Sequence, residues 1–78
     1  MTEEEALKWI AELFQEPAEN IKPATERDKI EGWDSLGVLT LMAAFDEEFD
    51  ILLSEEEMQG LRKVDDILKV LRERGALN

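Results

Sequence analysis

The chain has no cysteine, no histidine and no tyrosine among its 78 residues. Without cysteine no disulfide can brace the fold. Without cysteine or histidine the common zinc ligand sets are excluded, and no metal site is expected. Ser-His and Cys-His nucleophilic catalysis go with them. Carboxylates could still do acid–base work, but nothing in the sequence pairs them in an apolar setting. Sustained alternation is missing and β-branched residues are few, which argues against strands. No apolar run approaches the roughly 20 residues of a membrane span. Glu3, Glu4 and Glu5 stand where a signal peptide needs basic and then apolar residues. A cytoplasmic protein without a membrane span is therefore expected.

Basic residues are scarce in one place in particular. Residues 30–61 hold no Lys or Arg and nine acidic residues, a net of −9. Residues 1–29 hold four basic and eight acidic residues, a net of −4, and residues 62–78 hold five and three, a net of +2. The total is −11. Nucleic-acid binding needs the opposite sign and is not expected. A basic protein surface is the natural partner of the middle segment, and the field would speed their encounter. An acidic surface that only keeps the protein soluble is the simpler reading of charge by itself.

The length suits one domain over 1–78. A domain of this size buries only about 60 % of its unfolded surface, so its core is thin. The pattern is helical throughout and predicts an all-α fold. This is a small four-helix bundle with a long loop between helices one and two and a short third helix. The first helix starts at Thr2, with Glu5 three residues on as a capping box, and its stripe is Leu7, Ile10, Leu13 and Phe14. Pro17 closes it. An irregular stretch from about Glu16 to Trp33 follows, with Ile21 and Ile30 expected to pin it to the bundle. A loop this long in a small domain is often functional. The second helix begins at Asp34 or Ser35 and runs to about Phe49. At 100° per residue, Val38, Leu41, Met42, Phe45 and Phe49 share an arc of about 100°. Ser54 and Glu57 form a second capping box for a short helix ending at Gly60. The last helix carries Val64, Ile67, Leu68 and Leu71 and ends at Gly75. A capped start at Thr2 leads us to expect a free-standing chain. A monomer is also expected.

The informative segment is Gly32-Trp33-Asp34-Ser35-Leu36-Gly37. Gly32 is read as the residue that lets the loop turn sharply. Asp34 is a good N-cap, with its carboxylate near the orphan amides of the first turn. Ser35 then falls at the head of the helix with its side chain outward. Leu36 projects about 160° from the centre of the core arc, onto the wet face. A leucine exposed there, beside a wholly acidic segment, reads as a contact for a partner. Serine and aspartate are common at helix starts for capping reasons alone, so the dipeptide by itself carries little.

Taken together, these features resemble the acyl carrier protein family. The resemblance rests on Asp34-Ser35-Leu36 at the head of an apolar-striped helix and on Phe45-Asp46-Glu47-Glu48-Phe49-Asp50 at its end. The chain length, the long first loop, the short third helix and Val64-Asp65-Asp66-Ile67 are similar too. It implies that a phosphopantetheinyl transferase, with coenzyme A and magnesium, attaches a 4′-phosphopantetheine arm to Ser35. Asp34 matches the family's aspartate that assists the transferase and its metal. The resemblance further implies that the arm's thiol holds acyl groups as thioesters in fatty-acid, polyketide or related lipid biosynthesis. On this reading the protein itself catalyses nothing. Leu36, Asp46, Glu47 and Glu48 would dock acyl-transferring and chain-building enzymes through their basic patches. Val38, Met42, Phe45, Leu53, Met58, Leu61, Ile67 and Leu71 would first form the core and secondarily line a cavity for the acyl chain. Methionine suits a core that adapts to a guest.

Two positions depart from general fatty-acid carriers, which place acids where this chain has Gly37 and Thr40. A specialised carrier with its own partners is expected. Gly37 is read as a helix residue that costs roughly 0.5–1 kcal/mol relative to alanine. Three other readings stay open. Aminoacyl and peptidyl carriers, including D-alanine and nonribosomal peptide types, share the serine and the arm. Asp46 to Glu57 has the length of an EF-hand calcium loop, with Asp46, Glu48, Asp50, Ser54 and Glu57 as oxygen ligands. Its sixth position, however, is Ile51 where such a loop needs glycine. An acidic interaction protein without a prosthetic group would make Ser35 dispensable.

Overall fold

The computed structural model describes residues 1–78. Four helices follow in order: α1 (Glu3–Leu13), α2 (Ser35–Phe49), α3 (Glu55–Gln59) and α4 (Val64–Glu73). Two single 3-10 turns, Ala18–Asn20 and Arg27–Lys29, lie in the loop between α1 and α2. The all-α bundle expected from the pattern is the fold observed, with one isolated antiparallel bridge between Glu26 and Lys63.

Local chemistry sets the helix ends. Thr2 accepts from the Glu5 amide at 3.1 Å, and Glu5 accepts from the Thr2 amide at 2.8 Å. Glu3, Glu4 and Glu5 also place negative charge at the positive end of α1. Ser54 and Glu57 repeat the device for α3, at 3.1 and 2.9 Å. α4 is capped by another route. Asp66 in its first turn accepts the Arg62 and Lys63 amides at 2.8 and 3.3 Å. α1 and α2 each finish on a non-glycine residue in the left-handed region, Gln15 at φ 54° and Asp50 at φ 56°. Gly75 takes that role after α4 at φ 78°. Gly60 follows α3 in an ordinary right-handed conformation, so its stop does not require glycine.

The core contains no polar or charged residue. α4 gives it Val64, Ile67, Leu68 and Leu71, as its spacing predicted. α2 gives Val38, Leu41 and Phe45, while Met42 and Phe49 from the predicted arc are only half-buried. On α1 the buried line is Ala6, Ile10, Ala11 and Phe14, with Leu7 and Leu13 on its margins. A pattern built on large residues overlooks the alanines, whose small side chains occupy the closest part of the face. Ile21 and Ile30 are buried, so the long loop is pinned as expected. Backbone bonds also sew the loop to the start of α4: Arg27 N to Arg62 O at 2.8 Å, Val64 N to Thr25 O at 2.9 Å and Asp65 N to Pro23 O at 2.8 Å. The chain ends are clipped together by the Met1 amino group on Ala76 O at 2.9 Å and by Asn78 N on Met1 O at 2.8 Å.

Candidate functional site

Ser35 is the first residue of α2 and is exposed. Asp34 caps the helix in extended conformation, its Oδ1 accepting the Gly37 amide at 2.8 Å. α2 carries no acid in its first turn, so the positive end of its dipole beside Ser35 is offset only by Asp34. Leu36 is 72 % exposed, on the wet face where the helical period put it.

The floor under this serine is backbone packed on backbone. A β-carbon on Gly32 would lie 2.1 Å from the Phe14 carbonyl oxygen, and one on Gly37 would lie 2.0 Å from the Gly32 carbonyl oxygen. Neither glycine has the positive φ that only glycine tolerates. The sequence reading of both is corrected accordingly. Gly32 is required for its closeness to Phe14 rather than for a sharp turn. Gly37 is not a helix residue that alanine would improve, because alanine has no room. The end of α1, the loop and the head of α2 meet here within one atomic layer.

Trp33 completes the floor. It is buried at 3 % exposure and stacks on Phe14 with ring centroids 5.2 Å apart and planes 13° from parallel. Its Nε1 is buried without a partner. Leu13, Phe14, Gln15, Gly32, Asp34, Leu36, Gly37 and Thr40 line an open cleft of about 210 Å³ that reaches both chain neighbours of Ser35.

The acids expected to dock partners are separated by their surroundings. Asp46, Glu47 and Glu48 are all exposed on α2. Glu48 accepts the Trp9 indole N–H at 2.7 Å, which ties it to α1. Trp9 packs edge-on against Phe49 at 5.2 Å and tilted against Phe45 at 5.9 Å, so Glu48 belongs to the α1–α2 seam. Asp46 instead borders a cleft of about 270 Å³ lined by Leu39, Met42, Ala43, Ile51, Leu52 and Leu53. Leu39 at 61 % and Leu52 at 72 % exposure went unnoticed in the sequence. The signal for Leu39 was present, since it lies three residues after Leu36 and so shares its face. Leu52 lies outside any helix, where periodicity says nothing.

Of the residues expected to line an acyl cavity, Val38, Phe45, Met58, Leu61, Ile67 and Leu71 are buried in the common core. Met42 and Leu53 are half-buried and open onto the apolar cleft. The EF-hand spacing resolves into other structure. Asp46 and Glu48 sit on α2, Asp50 ends it, and Ser54 and Glu57 bond each other across the start of α3. No group of three or more acidic side chains is clustered to hold a metal ion. No helix is long and apolar enough to cross a membrane.

Glu5 and Glu57 titrate below the ordinary value because each is hydrogen-bonded by the backbone and then the side chain of its capping partner, Thr2 and Ser54.

No protein-family model matches the chain. The acyl carrier protein of Helicobacter pylori (strain J99 / ATCC 700824) is 33 % identical over 64 residues, 82 % of each chain. With that relationship, an outward serine at the head of α2 and a helical bundle around it, the chain belongs to the acyl carrier protein family.

Proposed function

We propose that Ser35 is the attachment point of a 4′-phosphopantetheine arm and that the protein carries acyl groups on it as thioesters. The observation that carries the reading is the exposed Ser35 at the N-terminus of α2, immediately after an N-cap aspartate. The residues fit such a group. A phosphodiester on Ser35 would lie at the positive end of the helix, where amides and dipole favour negative charge. The open cleft reaching Asp34 and Leu36 leaves room for a chain leaving that oxygen.

In the attachment step the Ser35 oxygen forms a bond to the phosphorus of coenzyme A that bears the pantetheine. The phosphoanhydride bond breaks, the nucleotide half departs with the electron pair, and the hydroxyl proton passes to a base on the transferase. Asp34 commits Oδ1 to the Gly37 amide, so Oδ2 is the oxygen that would be free to help hold a magnesium ion of the transferase. Once attached, the arm supplies the thiol that this cysteine-free chain lacks. Leu36, Leu39 and Leu52 offer apolar contact to partner enzymes, and Asp46 and Glu47 offer charge to their basic patches. Met42 and Leu53 give an acyl chain its first apolar contact at the surface.

Because the protein has no cysteine, any thiol must come from the arm. After incubation with coenzyme A, magnesium and a broad-specificity transferase, then removal of free coenzyme, an aromatic disulfide reagent should find one thiol per chain. Ser35→Ala should show none. A wild-type protein without a thiol after this treatment contradicts the proposal.

A further inference from the structure

We infer that Arg27 is a positioning residue for Ser35: its guanidinium, laid against Trp33, holds the turn that presents the serine. The inference rests on the carrier reading above. Arg27 is itself fixed at both ends. Its amide donates to Arg62 O at 2.8 Å, which anchors it to the lead-in of α4, and its Nη1 reaches Gln59 Oε1 at 3.4 Å. From that base Nε donates to the Trp33 carbonyl at 3.0 Å in a partly buried setting, and Cζ lies 5.9 Å from the Trp33 ring centroid. The first contact is a charge-assisted hydrogen bond and the second is at cation–π range.

The Trp33 carbonyl lies one peptide bond before Asp34 and two before Ser35. Trp33 therefore has its ring stacked on Phe14 and within cation–π range of Arg27, its carbonyl held by Arg27, and its amide bonded to Ile30 O at 3.1 Å. Asp34 must be extended for its side chain to cap α2, and the clamp fixes the residue from which it departs. No other side chain bonds the backbone of Gly32 or Trp33. Without the guanidinium, the segment ahead of Ser35 would open locally while the core of the bundle stays packed.

A transferase that needs the clamped turn would meet a smaller competent fraction of carrier. The apparent KM for the carrier then rises by the inverse of that fraction, while kcat holds. Arg27→Met keeps the length of the stem and removes donor and charge. It should raise the KM of phosphopantetheinylation about tenfold at unchanged kcat, from loss of one charge-assisted bond. Amide hydrogen exchange at Trp33, bonded to Ile30 O, and at Gly37, bonded to Asp34 Oδ1, should accelerate by a similar factor, with α1 and α4 amides unchanged. Arg27→Lys keeps a cation near the ring but not the fixed N–H fork, and should fall between the two. Should Arg27→Met fail to fold, Arg27→Lys decides alone by the same two readings. Modification of the folded variants at wild-type KM, with unchanged exchange at Trp33 and Gly37, overturns the role given to Arg27 and leaves the carrier reading standing. A wild-type chain inert to the transferase removes the carrier reading itself.

Discussion

The floor beneath Ser35 and the face beside it are built by opposite means. Under the serine, Phe14, Gly32, Trp33 and Gly37 meet so closely that a single β-carbon has no place. Along α2 and into the segment after it, Leu36, Leu39 and Leu52 stand in solvent among Asp46, Glu47 and Asp50. The first region is set by steric constraint, and the second has charge and little constraint. On the proposed carrier role, the floor sets the position of Ser35 and the face is where partners would be recognised. Substitutions should move different observables in the two.

The largest effect should come from Gly37→Ala. The added carbon meets backbone, which cannot step aside as a side chain can. We expect a loss of about 3 kcal/mol in urea melts, against the roughly 1 kcal/mol gain that helix propensity alone would give. A neutral or stabilised variant would erase the contrast between floor and face. Next come two substitutions at Asp34. Asp34→Ala removes the N-cap and should cost about 1 kcal/mol. Asp34→Asn keeps the cap and should leave the melt nearly unchanged, yet slow phosphopantetheinylation because the carboxylate is gone. Equal rates for Asn and Asp would assign Asp34 to capping alone.

Acid should act at the two capping boxes. Glu5 and Glu57 have folded values below their unfolded ones. Their contribution is thus complete above the ordinary carboxylate value and is lost as pH falls through the lowered one. A pH series of melts should show stability declining on the acid side, with a shallower decline in Thr2→Ala/Ser54→Ala. An unchanged slope in the double variant would place the acid sensitivity elsewhere. The smallest effect on stability should come from the face. Leu39→Ser and Leu52→Ser should stay within about 0.5 kcal/mol of wild type, because both side chains are already in water. The same variants should lower the rate at which partner enzymes use the loaded carrier. A large loss of stability in either would return that leucine to the core.

Much of this was readable from the sequence because it is local. Thr2 with Glu5 and Ser54 with Glu57 are three residues apart, and spacing alone announces the bond. The stripe of α4 is regular, and Ile21 and Ile30 were the isolated apolar residues of a polar loop. The carrier reading came from the Asp34-Ser35-Leu36 segment in its surroundings, and the likeness to a curated carrier supports it at family level. What stayed hidden depends on partners distant in the chain. Gly37 is explained by Gly32 and Phe14, neither on its own helix. Glu48 reads as a surface acid until α1 brings Trp9 to it. The contact of Arg27 with Trp33 spans six residues of irregular loop, which no period describes.

The most direct test of the whole account is where the arm attaches. Residues 30–61 lack Lys and Arg, so trypsin should release Ile30 to Arg62 as one peptide that holds both serines of the chain, Ser35 and Ser54. Tandem mass spectrometry of that peptide from the modified protein should place a single phosphopantetheine on Ser35. Placement on Ser54, or none on either, would contradict the account.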